Sequence, residues 1–262
     1  MLKENILDYK VNTFPADEGV EHIFKSLQSG KRTWLACFNP HSYVLSLEDK
    51  VFARVLKDSD LLVPDGGGVV LALSMLGGTI KSRVTGSDVF VGLNQRMNAA
   101  GNMRVFFLGA TEVSLRLIRQ RMAHEYSDIA IAGTFSPPFK EEFSEADNHV
   151  MIEIINKARP DVLWVGMSAP KQEKWIYQNK DKIDVKFIGA IGAVFDFYAG
   201  NVRRSHPWFQ NHGLEWLPRL LQEPKRLWRR MFVSAPIFLI KVVIESVRIK
   251  YLKSRKYGLF NK

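Results

Sequence analysis

An α/β fold, with a mainly parallel sheet and helices on both of its faces, is predicted by three observations. Short runs rich in β-branched and aromatic residues alternate with segments of helical periodicity up to about residue 200. Runs such as VFFLG (105–109) and VLWVG (162–166) are apolar at consecutive positions, as strands buried between two helix layers must be. The connections are short, which suits strand–helix–strand units laid side by side in one sheet.

In chain order, TWLACF (33–38) reads as a strand. Asn39 and Pro40 follow as N-cap and first helical residue, ahead of Tyr43, Val44, Leu47, Val51 and Val55 at helical spacing. LLVP (61–64) is the next strand, and a helix over 69–76 ends at Gly77-Gly78. RVTGSD (83–88) leads to a helix opening at Ser87-Asp88. MRVFFLG (103–109) precedes Thr111 and an Arg-rich helix to Tyr126; IAIAGTF (129–135) precedes a helix over 141–158. DVLWVGM (161–167) precedes a helix over 172–178, and VKFIGAIG (185–192) is the last strand. No internal repeat or low-complexity linker occurs. Composition breaks near residue 200, dividing the chain into an α/β catalytic domain, 1–202, and a basic helical appendage, 203–262.

The 262 residues suffice for a substantial core, and 46% hydrophobic with 24% charged residues is ordinary for a globular protein. The net charge of +10 is not ordinary. From Arg203 onward, 14 Lys and Arg face three acids, a net of +11, which leaves the first 202 residues at −1. A near-neutral body with a basic tail points to a polyanionic partner, either nucleic acid or an anionic membrane face. Nothing in the body reads as a groove-reading element, so nucleic acid is not the expected partner. A single cysteine, Cys37, excludes an internal disulfide and suits a reducing compartment. The six histidines form no short-spaced pair, which argues against a zinc set. MLKENILDYK lacks the apolar core of a secretory signal, so a cytoplasmic location is expected.

Ligands of open parallel sheets bind beyond the carboxyl ends of the strands. Here those ends carry Asn39, Asp65, Gly109, Gly166 to Gln172, and Gly189 to Asp196, with Gly192 between them. The glycines of PDGGGV (64–69) fail as a dinucleotide fingerprint, because the sixth position counted from Gly66 is Leu71. GAIGAVFD (189–196) fails too, and no GK[ST] exists. What remains is one carboxylate, Asp65, at a strand tip, beside a backbone that a substrate can approach closely. In GMSAPKQEKW (166–175), helix-opening amides and Lys171 suit an anion, and Gln172 suits a uracil edge or a sugar hydroxyl. Arg83 is placed to clamp a diphosphate, or equally to form a surface ion pair. Asp58 and Asp60 form an Asp-x-Asp pair of the kind that holds a divalent metal, but they precede a strand, at the wrong end of the sheet.

PDGGGV with RVTGSD, FFLGA, PDVLWVGMSAPKQEKW, GAIGAVFDFYAG and GLEWLPRLLQEPKRLWRRM resemble, in order, blocks of the WecG/TagA/CpsF glycosyltransferases, from roughly residue 5 to residue 232. The resemblance implies a Rossmann-like enzyme that moves a sugar from a UDP-sugar to an undecaprenyl-diphosphate-linked saccharide acceptor for cell-surface polysaccharide. N-acetylmannosamine, its uronic acid and glucose all occur as donors. It implies an inverting, metal-independent reaction with no cofactor. It also implies Asp65 as general base and Asn39, Arg83 and Gln172 as substrate ligands, with Arg219, Arg226 and Arg229 completing the site over the diphosphate groups. Arg204 has a similar part with less support. Where relatives often carry threonine, this chain has Cys37.

In the tail, Pro224 predicts two short helices meeting at an angle. The uncharged run Met231 to Ile240 is too short for the roughly 20 residues of a membrane span. Cations at 241, 248, 250, 253, 255 and 256 flank Phe238, Leu239, Val242, Val243 and Tyr251, as in a helix lying in the inner face of a bacterial membrane. The alternative is a helix packed on the body or on a second copy, which leaves a homo-oligomer open. Two non-catalytic alternatives, a membrane adaptor and a nucleic-acid-binding protein, would use the tail without needing Asp65 beside a nucleotide pocket.

Overall fold

The computed structural model describes residues 2–80, 82–202, 209 and 216–256. Among the described residues, eight strands form two sheets. β1 (Lys3–Ile6) and β2 (Tyr9–Asn12) make an antiparallel hairpin. β3 (Thr33–Phe38), β4 (Leu61–Pro64), β5 (Met103–Gly109), β6 (Ile129–Phe135), β7 (Val162–Gly166) and β8 (Phe187–Ala190) form a sheet in the order β4-β3-β8-β7-β5-β6. Every neighbouring pair in that sheet is parallel. The predicted α/β fold is the one observed, and it is Rossmann-like.

Successive side chains of a strand point to opposite faces, and here each face has its own core. Trp34, Ala36, Phe38, Leu62, Leu163, Val165 and Ile188 pack with α2 (Pro40–Glu48), α3 (Lys50–Lys57), α4 (Gly67–Met75), α7 (Glu145–Ala158) and α8 (Lys171–Asn179). Leu35, Val63, Val105, Phe107, Val162, Trp164 and Phe187 pack with α1 (Ala16–Gln28), α5 (Gly86–Ala100), α6 (Glu112–Glu125) and α9 (Val194–Tyr198). The hairpin closes the first face at the β4 edge, where the buried Asn12 Oδ1 accepts the Leu62 N–H at 2.8 Å.

This division of helices creates topological switch points, the places where open sheets have their ligand crevice. β3 runs into α2 on the first face, while its neighbour β8 runs into α9 on the second. β7 and β5 diverge in the same way, into α8 and α6. Where connections leave adjacent strands in opposite directions, open sheets bind ligands beyond the carboxyl ends. The helix after Arg83 begins at Gly86, one residue earlier than expected, because Thr85 supplies the N-cap and closes a capping box with Asp88.

Beyond the sheet, helices Trp216–Gln222 and Pro224–Arg229 meet at Pro224 as expected, and a π turn, Arg230–Ser234, leads into the terminal helix Ala235–Lys256. That helix lies on α2 and α4. Its Phe238 is fully buried, with ring centroids 5.4 Å from Tyr43 and 6.4 Å from Phe38. Val242 is also fully buried, and Ser246 Oγ donates to the Met75 carbonyl at 2.9 Å. One face of the helix is therefore part of the core.

Phe238→Ala should lower unfolding stability by ~3–5 kcal/mol, since a buried ring leaves both its transfer free energy and a cavity. Urea denaturation of the full chain followed by near-ultraviolet circular dichroism checks this.

Candidate functional site at the carboxyl edge of the sheet

At the tips of β3 and β4, the Asp65 N–H donates to the Phe38 carbonyl at 2.8 Å and the Val84 N–H to the Pro64 carbonyl at 3.1 Å. Asp65 and Arg83 therefore share one strand tip, beside Asn39 at the next. Gly66 takes φ of 100°, which turns the chain directly from β4 into α4. A Cβ on Gly68 would lie 3.2 Å from Pro40 Cγ, whereas one on Gly67 would meet nothing within 4 Å. The glycine run thus makes the turn and lets α4 approach α2. Asn39 caps α2: its Oδ1 accepts from the His41 and Ser42 N–H groups at 3.1 and 2.9 Å.

The tips of β5, β7 and β8 close on one another. Gly109, at φ of 115°, approaches Gly166 so nearly that a Cβ would stand 2.4 Å from the Gly166 carbonyl oxygen. A Cβ on Gly166 would meet the Phe195 ring at 2.3 Å. Gly192, at φ of 51°, lies against the Gln172 side chain. Asp196, on α9, accepts the Asn201 and Val202 N–H groups at its carbonyl, at 3.0 and 3.3 Å.

The PKQE segment opens α8. Gln172 is only 4% exposed; its Oε1 accepts the Met167 N–H at 3.2 Å and its Nε2 donates to Glu173 Oε1 at 2.8 Å. Lys171 turns elsewhere: its ammonium donates to the Lys140 carbonyl and sits 4.0 Å from the Phe143 ring centroid. Burial draws its pKa down. Arg229 is exposed, on the segment that leads to the π turn. Arg204 and the side chains of Arg219 and Arg226 lie outside the described residues. Asp58 and Asp60 accept from the Tyr177 hydroxyl and the Trp34 N–H, at the amino edge of the sheet.

Four further groups enter the site that the residue patterns do not assign to it. Glu173 is 2% exposed, and burial pushes its pKa up to about 7 against the hydrogen bond from Gln172 and the nearby charge of Arg230. Trp175, Ile176 and Asn179 define the buried face of α8, and positions 172 and 173 fall on that face at helical spacing, which is the signal that would have found it. Arg230, at the start of the π turn, acts on both Glu173 and His41. His41 contacts Ser234 Oγ through Nδ1 at 3.0 Å, pinning the π turn to the start of α2. Burial, then Arg230 and Arg229, lower its pKa to about 4, so the ring is neutral at physiological pH. Burial, with the Asp65 and Glu173 carboxylates adding to it, holds the Cys37 thiol well above its usual range, so it is neither base nor nucleophile.

The family model "Glycosyl transferase WecG/TagA/CpsF family" matches residues 4–251, from the hairpin into the terminal helix. The chain belongs to the WecG/TagA/CpsF family. It is a glycosyltransferase. Among its relatives, the N-acetylglucosaminyldiphosphoundecaprenol N-acetyl-beta-D-mannosaminyltransferase of Bacillus spizizenii is 30% identical over 217 residues, covering 83% of this chain and 81% of its own. The protein of that description from Bacillus subtilis strain 168 is 30% identical over 211 residues, covering 80% and 79%. The one from Staphylococcus aureus strain MW2 is 25% identical over 238 residues, covering 89% of each. At this edge helix N-termini, the helix ends that favour anions, stand beside acids at the strand tips.

Because folding opposes protonation of His41, the stability it permits is complete above its ordinary pKa of 6.5 and is lost as pH falls toward 4. His41→Gln, neutral throughout, should therefore lose less stability than the wild type across that window. Urea midpoints measured at intervals between the two pH values check the sign.

Proposed function

We propose that this glycosyltransferase moves N-acetylmannosamine from a UDP-sugar to a saccharide linked to undecaprenyl diphosphate. The observation that carries this is the match, over four-fifths of the chain, to relatives whose names give that acceptor and that sugar. Asp65 is the base. The acceptor hydroxyl oxygen bonds to the anomeric carbon as its proton passes to the Asp65 carboxylate, and the bond from that carbon to the diphosphate breaks, releasing UDP. A β-linked product, the linkage in the relatives' names, is what one displacement on an α-linked nucleotide sugar yields. The reaction is inverting and independent of metal: the Asp-x-Asp pair lies at the far edge of the sheet, and amides and arginines meet the leaving diphosphate. Asn39, Arg83, Gly109, Gly166, Gly192, Gln172 and Asp196 line the donor crevice, and the family resemblance adds Arg219, Arg226 and Arg229 as ligands of the diphosphate. Lys171 acts by ordering the β6–α7 loop.

The acceptor's lipid supports a membrane-surface location, and the terminal helix has a face for it. Ile240, Val243, Ile244, Val247 and Tyr251 are exposed and recur at helical spacing, about half a turn from the buried Phe238 and Val242. Lys241 and Arg248 are exposed on one flank of this stripe and Lys250 on the other. Apolar side chains enter the acyl boundary while the flanking cations meet anionic headgroups. Among the described residues no helix is long and apolar enough to cross a membrane.

Asp65→Asn should lower kcat by ~10²–10⁴-fold, the usual worth of a positioned general base, with UDP affinity little changed. UDP release from a panel of UDP-N-acetylmannosamine, its uronic acid and UDP-glucose, with an undecaprenyl-diphosphate-sugar analogue, reads both base and donor. Near-normal turnover by the variant would overturn the assignment of the base. Ile244→Glu with Val247→Glu should leave the fold intact and shift the full-length enzyme out of the floating fraction with anionic vesicles. Equal flotation of variant and wild type would remove the membrane face.

A further inference from the structure

Gln172 joins two strand tips. Met167 N–H, just beyond β7, is a donor only, so it must face the amide oxygen; an ionised Glu173 accepts only, so it must face the amide nitrogen. Gly192, just beyond β8, borders the same group: a Cβ there would stand 3.5 Å from Gln172 Nε2. Glu173 thus selects one of the two orientations of an amide that bonds to the tip of β7 and lies beside the tip of β8. Its second oxygen, Oε2, is buried and has no hydrogen-bond partner among the described residues. Leaving such an atom unsatisfied opposes folding, and an apolar side chain on this buried face would avoid it.

We propose that Glu173 is a positioning residue, whose carboxylate locks the Gln172 amide across the tips of β7 and β8 and thereby fixes the crevice in its transfer-competent shape. This rests on the crevice being the site of glycosyl transfer. The bond from Gln172 to Glu173 is charge-assisted while Glu173 is ionised and weakens on protonation, because a neutral acid is the poorer acceptor. Arg230 faces Glu173 from the π turn and favours the ionised form. Cys37 faces it from β3 and stays a neutral thiol, with the Asp65 charge acting on that same sulfur. On α8 itself, Lys171 is taken by Lys140 and Phe143, and Lys174 by Asp49. With its pKa near 7, Glu173 gains its charge across the neutral range, so kcat/KM gains a limb that rises as pH passes through about 7.

The test uses the full chain, UDP-release kinetics across pH, and two variants. Glu173→Met fills the volume without an acceptor: the melting temperature should match or exceed that of the wild type, while kcat/KM falls by roughly tenfold or more, as misplacement of a site by a fraction of an ångström does. Glu173→Gln keeps an acceptor oxygen without titrating: it should recover most of that loss and flatten the limb near pH 7. Side-chain amide resonances of Gln172 should move with pH around 7 in the wild type and stay fixed in Glu173→Gln. Wild-type kcat/KM and pH profile in Glu173→Met would overturn the proposal. So would a lowered melting temperature and an equal loss of activity in both variants, the pattern of a merely structural residue. If the wild type releases no UDP from any sugar in the panel, the proposed function fails instead, and the amide resonances still decide whether Glu173 controls Gln172.

Discussion

Everything at the reactive edge depends on how closely the tip of β5 approaches the tip of β7. No side chain fits between them. The Ala110 N–H reaches the Gly166 carbonyl at 3.1 Å only because Gly109, at positive φ, has no Cβ to strike that oxygen. Gly166 also has no Cβ, so the Phe195 ring lies flat against its backbone and draws α9 down onto β7. That seats Gly192 against the Gln172 amide and brings Asp196 to the rim. A methyl group at Gly109 or Gly166 would strike backbone or a packed aromatic ring, so the strain would spread through three strand tips at once. The crevice is a packing result before it is a chemical one.

Charge follows from that geometry. The sheet supplies acids, Asp65 at one tip and Glu173 in the floor, and both raise the pKa of the Cys37 thiol that lies near them. The cations come from the other end of the chain, where Arg229 and Arg230 stand near the start of α2. Locally, then, the acids of the sheet edge and these two arginines are complementary, although the body as a whole, at −1, leaves most of the tail's +11 unbalanced. His41 keeps the two together because it remains neutral. A protonated ring beside Arg230 would repel the segment that its bond to Ser234 secures.

The fold was legible because parallel strands buried on both faces leave continuous apolar runs, which TWLACF, VFFLG and VLWVG provide. The expectations begin at Thr33 and leave out the hairpin and α1. The hairpin strands, KENI and YKVN, have four residues each and too little alternation to announce themselves. α1 carried a usable signal, with Val20, Ile23 and Leu27 at helical spacing. Within the site, the turn function of Gly66 and the capping by Asn39 follow from local rules. Glu173 follows less directly: its spacing sets it beside Ile176 and Asn179 on the buried face, but only the tertiary packing of α8 buries an acid there. Lys171 shows the opposite error: its position in the helix opening suggests an anion ligand, yet a carbonyl and an aromatic ring are close enough to take its charge first.

The terminal helix packs on the body along one face, one of the two arrangements its composition left open. With about 3.6 residues per turn, 22 residues offer six turns, enough for two faces. Phe238, Val242 and Ser246 fall on one, and Ile240, Ile244, Val247 and Tyr251 on the other. The first is apolar apart from Ser246, whose hydroxyl is satisfied by the Met75 carbonyl, and the second is apolar along its length; neither surrounds the helix, which is anchored to the core by one face. Its buried face contacts α2 and α4, the two helices that begin at Asn39 and just after Asp65. Under the proposed function, lipid against the outer face would hold Asp65 and Arg229 at a fixed height above the headgroups. That height matters for the proposed acceptor, whose reacting hydroxyl cannot travel far from the membrane.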